Sequence, residues 1–199
     1  MPLSLSDGEK NPQVLTFKST LPSGEEVVFR PIEAVDVKLL TEFLEGLSEQ
    51  TRDFYILDSY DSAKAQEFCD AINKYDKLRF VAINTSTKKG VALVEYSFDI
   101  PEGDTKRFLG YGITLNSKTD CRMGPCIADD YQKKGVGSVL FPHIVDIARK
   151  FNKERIILWG GVFEDNKKAI TFYSKNGFKK VGSFKGTKDA STLDMMREV

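Results

Sequence analysis

Gln132-Lys133-Lys134-Gly135-Val136-Gly137-Ser138 follows the strand-like run Cys126-Ile127-Ala128 and opens the apolar-periodic segment Val139 to Phe151. A glycine-flexed turn between a strand and a helix aims several free backbone N–H groups at one point, and the helix dipole adds partial positive charge there. The stretch reads as a phosphate cradle at a helix start. A plainer reading stands beside it, in which the glycines serve only close helix–strand packing. Two familiar phosphate loops are excluded. There is no Gly-x-x-x-x-Gly-Lys-Ser/Thr stretch, and Leu140 stands where the third glycine of a dinucleotide fingerprint would fall.

On the carboxyl side of the helix, Arg155-Ile156-Ile157-Leu158-Trp159 has the continuous apolar character of a buried strand, and Gly160-Gly161 permits close approach at its end. A short helix is expected from about Asn166 to Lys175, ended by Asn176-Gly177, with closing strands at Phe178 to Phe184 and Thr192 to Arg197. On the amino side, Cys121 to Ala128 is the expected central strand, and Arg79 to Asn84 and Gly90 to Phe98 are strands around the turn Thr85 to Lys89. Pro101-Glu102-Gly103-Asp104 reads as a turn and Phe108 to Leu115 as a further strand. Val37, Leu40, Phe43, Leu44 and Leu47 have the spacing of a helix face, with Asp36 near its amino end, and Ser62 to Asn73 carries a second pattern through Ala65, Phe68, Cys69 and Ile72. Val14 to Ser19 and Glu26 to Arg30 bracket the turn cluster Leu21-Pro22-Ser23-Gly24 as a hairpin. Residues 1–13 read as a flexible tail and 14–199 as one domain. The order is mixed α/β, with the glycine loop between a central strand and its crossover helix.

Lys plus Arg and Asp plus Glu number 29 each, so the formal net charge is zero, which argues against a whole-protein grip on nucleic acid. Cys69, Cys121 and Cys126 are too few for a closed disulfide framework, and no amino-terminal apolar h-region is visible, so a reduced cytoplasmic setting is expected. No apolar run approaches the roughly 20 residues that span a bilayer. Metal binding is not expected either, because His143 is the single histidine and lies within a helical pattern. The same inventory disfavours a Ser-His-Asp hydrolase.

The glycine loop, followed by helix, strand, Asn166-Lys167-Lys168-Ala169-Ile170-Thr171-Phe172-Tyr173 and Asn176-Gly177-Phe178, resembles the GNAT superfamily of N-acetyltransferases, whose acyl-CoA loop is Gln/Arg-x-x-Gly-x-Gly/Ala. Asp194-Met195 also fits. The resemblance implies a GNAT-like fold with a mostly antiparallel mixed sheet of about seven strands flanked by about four helices. It implies acetyl-CoA as cosubstrate and no metal. The pantetheine arm would pair with backbone groups of Cys126, Ile127 and Ala128, and the pyrophosphate would accept N–H bonds from Gln132, Lys133, Lys134, Gly135, Val136, Gly137 and Ser138. Asn166, with Ala169 and Phe172 in the same segment, would meet the pantetheine arm, although Asn166 serves equally as a helix N-cap.

Acetyl transfer to an amine requires a base, a polarised thioester carbonyl and a proton for the departing sulfur. Tyr173 matches the family's general acid, with an aromatic packing role as the plainer alternative. Unpaired N–H groups near Ile127 and Ala128 are expected to polarise the carbonyl. For the base, alternation places Glu95 on a face with Val91 and Leu93, with Asp99, Asp129, Glu164 or an ordered water as rivals. The acceptor is expected to be a primary amine, on a small molecule or a protein, bound near the first two helices, their connection Ser48 to Tyr60 and the Pro101 to Leu115 region. The protein is expected as a monomer or homodimer without nucleic-acid or membrane partners. A noncatalytic acyl-CoA-binding sensor on the same fold is the alternative, and a scaffold using its glycines only for packing is the third reading.

Overall fold

The computed structural model describes residues 2–71 and 76–199. Helix α1 (Leu5–Lys10) opens the chain, where a loose tail is expected from the sequence. A capping box explains it: the Ser4 hydroxyl accepts from the Asp7 N–H at 3.2 Å while the Asp7 carboxylate accepts from the Ser4 N–H at 2.9 Å. A 3₁₀ turn over Pro12–Leu15 follows and buries Leu15 completely, so the first strand, β1 (Phe17–Thr20), starts later than expected. It pairs antiparallel with β2 (Glu26–Pro31), placing Phe17 opposite Phe29 and Thr20 opposite Glu26. The expected hairpin is present. Helix α2 (Val37–Glu45) also lies where its spacing places it, and Leu40 and Leu44 are fully buried. Each such leucine contributes about 1.5–3 kcal/mol relative to an exposed position. Asp36 does not cap α2; both its oxygens are held by the Arg30 guanidinium at 2.7 and 2.8 Å.

The connection after α2 contains a helix that hydrophobic spacing does not reveal, α3 (Glu49–Phe54), because none of its residues is buried. Helix α4 (Ser62–Asp70) follows, and Ile72 of the expected pattern lies outside the described residues. Strands β3 (Lys77–Asn84) and β4 (Gly90–Ser97) match the reading around Thr85 to Lys89. The stretch after β4 corrects the sequence reading. Pro101 begins helix α5 (Glu102–Leu109) rather than a turn, with Glu102 and Asp104 in its first turn and Lys106 and Arg107 in its last, a charge order that suits the helix dipole. The apolar run that follows is no strand. Gly112, at φ 78°, breaks it.

Strand β5 (Asp120–Ile127) leads through a 3₁₀ turn at Asp129–Tyr131 into α6 (Val136–Lys150), which begins at Val136, ahead of the apolar period that starts at Val139. Then come β6 (Arg155–Leu158), the short β7 (Val162–Phe163), α7 (Lys167–Lys175), β8 (Lys179–Lys185) and β9 (Ser191–Glu198). The nine strands and seven α-helices among the described residues exceed the expected counts, but the class is the expected mixed α/β.

The chain divides into two compact units, Leu3–Glu95 with Pro125–Ile147, and Tyr96–Gly124 with Ala148–Val199. In the first, β2 pairs antiparallel with β3 from Val27 opposite Asn84 to Pro31 opposite Phe80. Helices α2 and α4 cover a core in which Leu40, Phe43, Phe68, Val81, Leu93 and Cys126 meet. In the second unit, β6 pairs parallel with β5 from Asp120 opposite Arg155 to Met123 opposite Leu158, and antiparallel with β9. Strand β9 also takes β7 and β8 as antiparallel partners. Phe108 of α5, Leu115 and Ile157 form the buried core there, with Tyr111, Val181 and Met196 packed against it. Among the described residues no helix is long and apolar enough to cross a membrane.

Candidate active site

The glycine loop is built by left-handed backbone at two positions. Lys133 has φ 61° and Gly135 φ 80°, and the first turn of α6 starts at the next residue. An L side chain at Lys133 tolerates this conformation at a cost of about 1–2 kcal/mol, whereas glycine avoids it. The Val139 N–H returns to the Gly135 carbonyl at 3.1 Å. The N–H groups of Val136, Gly137 and Ser138 belong to the opening turn, which has no acceptor within the helix. Packing is also satisfied at Gly135: a Cβ there would lie 2.8 Å from Pro22 Cγ. The packing reading of this glycine is therefore realised, and it is compatible with the cradle reading.

Side chains around the loop tie it to its own unit. Gln132 Nε2 donates to Thr51 Oγ1 at 2.9 Å and to the Ile127 carbonyl at 3.2 Å. Asp129 accepts from the Ser48 N–H at 2.8 Å, the Ser48 hydroxyl at 2.6 Å and the Thr51 hydroxyl at 2.7 Å. Burial pushes the Asp129 carboxyl upward, but these bonds outweigh it and hold the group below its ordinary 3.8. Asp129, a rival base by sequence, is thus an anchor for the amino end of α3. Ala128 requires a correction. Its N–H donates to the Val91 carbonyl at 3.0 Å, so it is not the unpaired polariser expected from the sequence.

Glu95 lies on β4, of which every residue from Val91 to Ser97 is buried, so alternation does not single it out as the sequence reading supposed. Its environment does. Arg79 Nε donates to Oε2 and the Tyr55 hydroxyl to Oε1, each at 2.6 Å. The Arg79 guanidinium also lies 4.1 Å from the Phe68 ring centroid. The Tyr55 phenol is pushed well above its ordinary value, first by burial and then by the charge of Glu95. The buried Cys126 thiol is raised for the same first reason, with Asp129 and Glu95 adding to it, so it is held as the neutral thiol. Tyr55 and Arg79 escaped the sequence reading because they stand 40 and 16 residues from Glu95.

In the second unit, Ala169, Phe172 and Tyr173 lie on α7, with Asn166 just before it. Asn166 is its N-cap, accepting the Ala169 N–H at 3.1 Å, so the structural reading of that asparagine is realised. Tyr173 is 8% exposed and packs edge-on to Phe172 and Phe178, at centroid distances of 5.5 and 5.3 Å. Gly177, at φ 84°, ends the helix as expected, and the Phe178 N–H bonds back to the Tyr173 carbonyl at 3.0 Å. The ladder of β5 with β6 runs to Met123, whose carbonyl accepts from the Trp159 N–H at 2.8 Å. Pro125 then has no N–H to offer a neighbouring strand.

The family described as acetyltransferase (GNAT) matches residues 47–178, a segment that holds Glu95, the glycine loop and α7. The chain belongs to the GNAT family. A Pseudomonas aeruginosa protein named as an acetyltransferase is 28% identical over 131 residues, 66% of this chain and 64% of that relative's length. Among solved structures, the GNAT domain of S. lividans PAT superposes with a TM-score of 0.72 at 20% identity, covering 94% of this chain and 99% of that one. AAC(6')-Ib in complex with paromomycin and acetyl-CoA superposes with a TM-score of 0.67 at 16% identity, covering 86% and 93%.

The GNAT loop meets the chemical demand of a pyrophosphate in its donor set. The opening turn of α6 supplies N–H groups, Lys133 and Lys134 supply charge, and the Asp129 carboxylate is directed to Ser48 and Thr51. Lys134 Nζ lies 5.6 Å from the Tyr131 ring centroid.

Proposed function

We propose that this chain is an acetyl-CoA-dependent N-acetyltransferase that transfers acetyl directly to a primary amine within a ternary complex. The observation that carries this reading is the left-handed backbone at Lys133 and Gly135, which delivers the chain into α6 inside the segment matched by the GNAT family. In this reading the N–H groups from Gln132 to Ser138 hold the pyrophosphate, and the backbone of Cys126 and Ile127 pairs with the pantetheine arm. With its Oδ1 engaged by Ala169, Asn166 meets that arm through Nδ2, alongside Ala169 and Phe172.

Acetyl-CoA supplies an activated thioester. The Glu95 carboxylate takes the proton that the attacking amine gives up, using lone pairs beyond those engaged by Arg79 and Tyr55. The Ile127 N–H polarises the carbonyl, and the Tyr173 hydroxyl protonates the departing sulfur. A new C–N bond replaces the C–S bond, and the two proton transfers balance.

The acceptor class remains a primary amine, on a small molecule or a protein. Structural relatives include proteins described as an aminoglycoside acetyltransferase or as a spermidine N-acetyltransferase. A noncatalytic acyl-CoA-binding module is the second reading, favoured by one observation: both Glu95 oxygens already have protein partners. Calorimetry with coenzyme A, together with free-thiol release across a panel of polyamines, aminoglycosides and lysine peptides, separates the two. Binding with turnover supports the transferase, and binding without turnover on any amine favours the module. Tyr173→Phe is expected to lower turnover about 100-fold at nearly unchanged acetyl-CoA affinity. Near-normal turnover in that variant removes Tyr173 from the acid role. Gly135→Glu is expected to abolish coenzyme A binding while the circular dichroism of the fold persists, and unchanged affinity would contradict the cradle.

A further inference from the structure

The β1–β2 turn belongs to no part of the mechanism above, yet its side chains converge on the donor loop. The turn is closed on itself: the Leu21 N–H donates to the Glu25 carbonyl and the Gly24 N–H to the Leu21 carbonyl, both at 2.8 Å. Leu21 is 2% exposed, which roots the turn in the core. Gly24, at φ 85°, makes the reversal, and the space around its absent Cβ is open, so its backbone conformation is what the position requires.

Two contacts run from this turn to the loop. At one, the Pro22 ring occupies the space that a side chain on Gly135 would need, 2.8 Å from the ideal Cβ position. At the other, Glu25 Oε1 accepts from the Tyr131 hydroxyl at 3.1 Å and from Asn84 Nδ2 at 2.8 Å, while Asn84 Nδ2 and the Tyr131 oxygen are themselves 3.1 Å apart. Asn84 is 1% exposed, and its Oδ1 accepts from the Ser86 and Thr87 N–H groups, so β3 fixes the centre of this triangle. Tyr131 ends the 3₁₀ turn immediately before Gln132. The turn thus touches the loop on both sides of the left-handed Lys133, at Tyr131 and at Gly135. The Glu25 carboxyl is held below its ordinary value, first by the Ser23 hydroxyl and further by Tyr131, Lys134 and Asn84.

A loop with a non-glycine residue at φ 61° needs surroundings that over-determine it, because a relaxed backbone there swings its N–H groups away from a common point. We propose that the turn Leu21 to Glu25 is a strut that holds the donor loop in its anion-binding shape, with Pro22, Glu25 and Tyr131 as positioning residues that touch no substrate. The proposal rests on the reading of the loop as the donor cradle. It predicts that loosening the strut weakens donor binding without removing any donor contact, since a loop that samples other shapes binds in proportion to its competent fraction.

The test is coenzyme A affinity by calorimetry on the full chain. Glu25→Ala and Tyr131→Phe are each expected to weaken binding about fivefold, the equivalent of one lost hydrogen bond of ordinary strength. Glu25→Gln keeps a carbonyl acceptor for Tyr131 and Asn84 and is expected to stay within about twofold of the unsubstituted protein, a rescue that simple loss of charge near phosphates would not give. Tyr131→Phe removes only a hydroxyl and keeps the proposal testable if Glu25→Ala does not fold. Wild-type affinity in a folded Glu25→Ala and in Tyr131→Phe overturns the strut while leaving the donor reading intact. Failure of the unsubstituted chain to bind coenzyme A overturns the donor reading and the strut with it.

Discussion

Glu95 in the first unit and Asp194 in the second are built from the same parts and arranged for different ends. Each is a buried carboxylate, 8% and 0% exposed, that meets one arginine and one tyrosine hydroxyl. Around Asp194, Arg107 donates through Nε at 2.7 Å and Nη2 at 3.1 Å, and the Tyr111 hydroxyl adds a third bond at 3.0 Å. Arg107 is itself held by Asp104 at 2.7 Å and lies 4.1 Å from the Phe184 ring centroid. Glu95 receives one bond from Arg79 and one from Tyr55. A bidentate, cross-braced acid is a fastener between α5 and β9. Glu95, with one bond to each oxygen, keeps acceptor capacity in hand, as the proposed base role requires.

Removing the fastener is expected to have the largest effect on stability. Asp194→Ala leaves Arg107, 20% exposed at its side chain, with Asp104 as its remaining acid, so the loss is expected near the lower end of the range for broken buried pairs, about 3 kcal/mol. The denaturation midpoint in urea at unchanged slope checks it. A loss under about 1 kcal/mol would mean that Asp194 is as dispensable as a surface ion pair, and the contrast with Glu95 would fail. Gly182 provides a second reading of the same joint, since a Cβ there would lie 2.2 Å from Tyr111 Cζ.

The next effect falls on turnover rather than stability. Glu95→Gln preserves a carbonyl for one of its donors and removes the proposed base, so turnover of the folded protein is expected to fall about 100-fold, roughly 2.7 kcal/mol of barrier. If stability collapses and the residual folded fraction turns over normally, Glu95 is a second fastener and the second unit's pattern applies to both.

How far the sequence reaches into this comparison depends on distance along the chain. Helix α2 and the cap of α7 were legible because periodicity and the Asn166 to Ala169 bond are local. Helix α5 was not. Its Pro-Glu-Gly-Asp start looks like a turn, and what orders it is burial of Phe108 and the Arg107 bond to a residue 87 positions away. Helix α3 has no buried residue, so it carries no apolar stripe to read, and its order comes from Asp129, 81 positions from Ser48. The glycine loop was legible as backbone chemistry. The polar residues around it were not, because side chains such as Gln132 and Asp129 are turned towards Thr51 and Ser48, contacts that spacing cannot announce.

Smaller effects should separate the two tyrosines. Tyr55→Phe removes a 2.6 Å bond to a carboxylate that has one other charged donor, with an expected loss of about 1.5 kcal/mol, the low end for bonds to charged groups. Tyr111→Phe removes a 3.0 Å bond from a carboxylate that Arg107 still grips twice, and about 0.5 kcal/mol is expected. Equal losses, measured side by side by chemical denaturation, would erase the distinction between saturated and unsaturated acids.

The smallest effect concerns Asp129, a carboxylate with no arginine at all. Its partners are one N–H and two hydroxyls, and its folded pKa lies below the ordinary 3.8. A depressed carboxyl stabilises the fold above its unfolded value and gives that contribution up as pH falls through the folded one, so the loss belongs to the acid limb below about pH 4. An asparagine can keep its carbonyl on the Ser48 N–H and turn its amide to the two hydroxyls, which are able to accept. Asp129→Asn is therefore expected to cost under about 1 kcal/mol near neutrality. In melting curves taken from pH 6 to pH 3, the gap between the two proteins should close as the wild-type carboxylate is protonated. A gap that stays constant to pH 3 would mean that charge does not anchor α3, and that hydroxyl and N–H partners hold a neutral acid as well as an ionised one. In that case the strength of the acids in this molecule would follow their arginines alone.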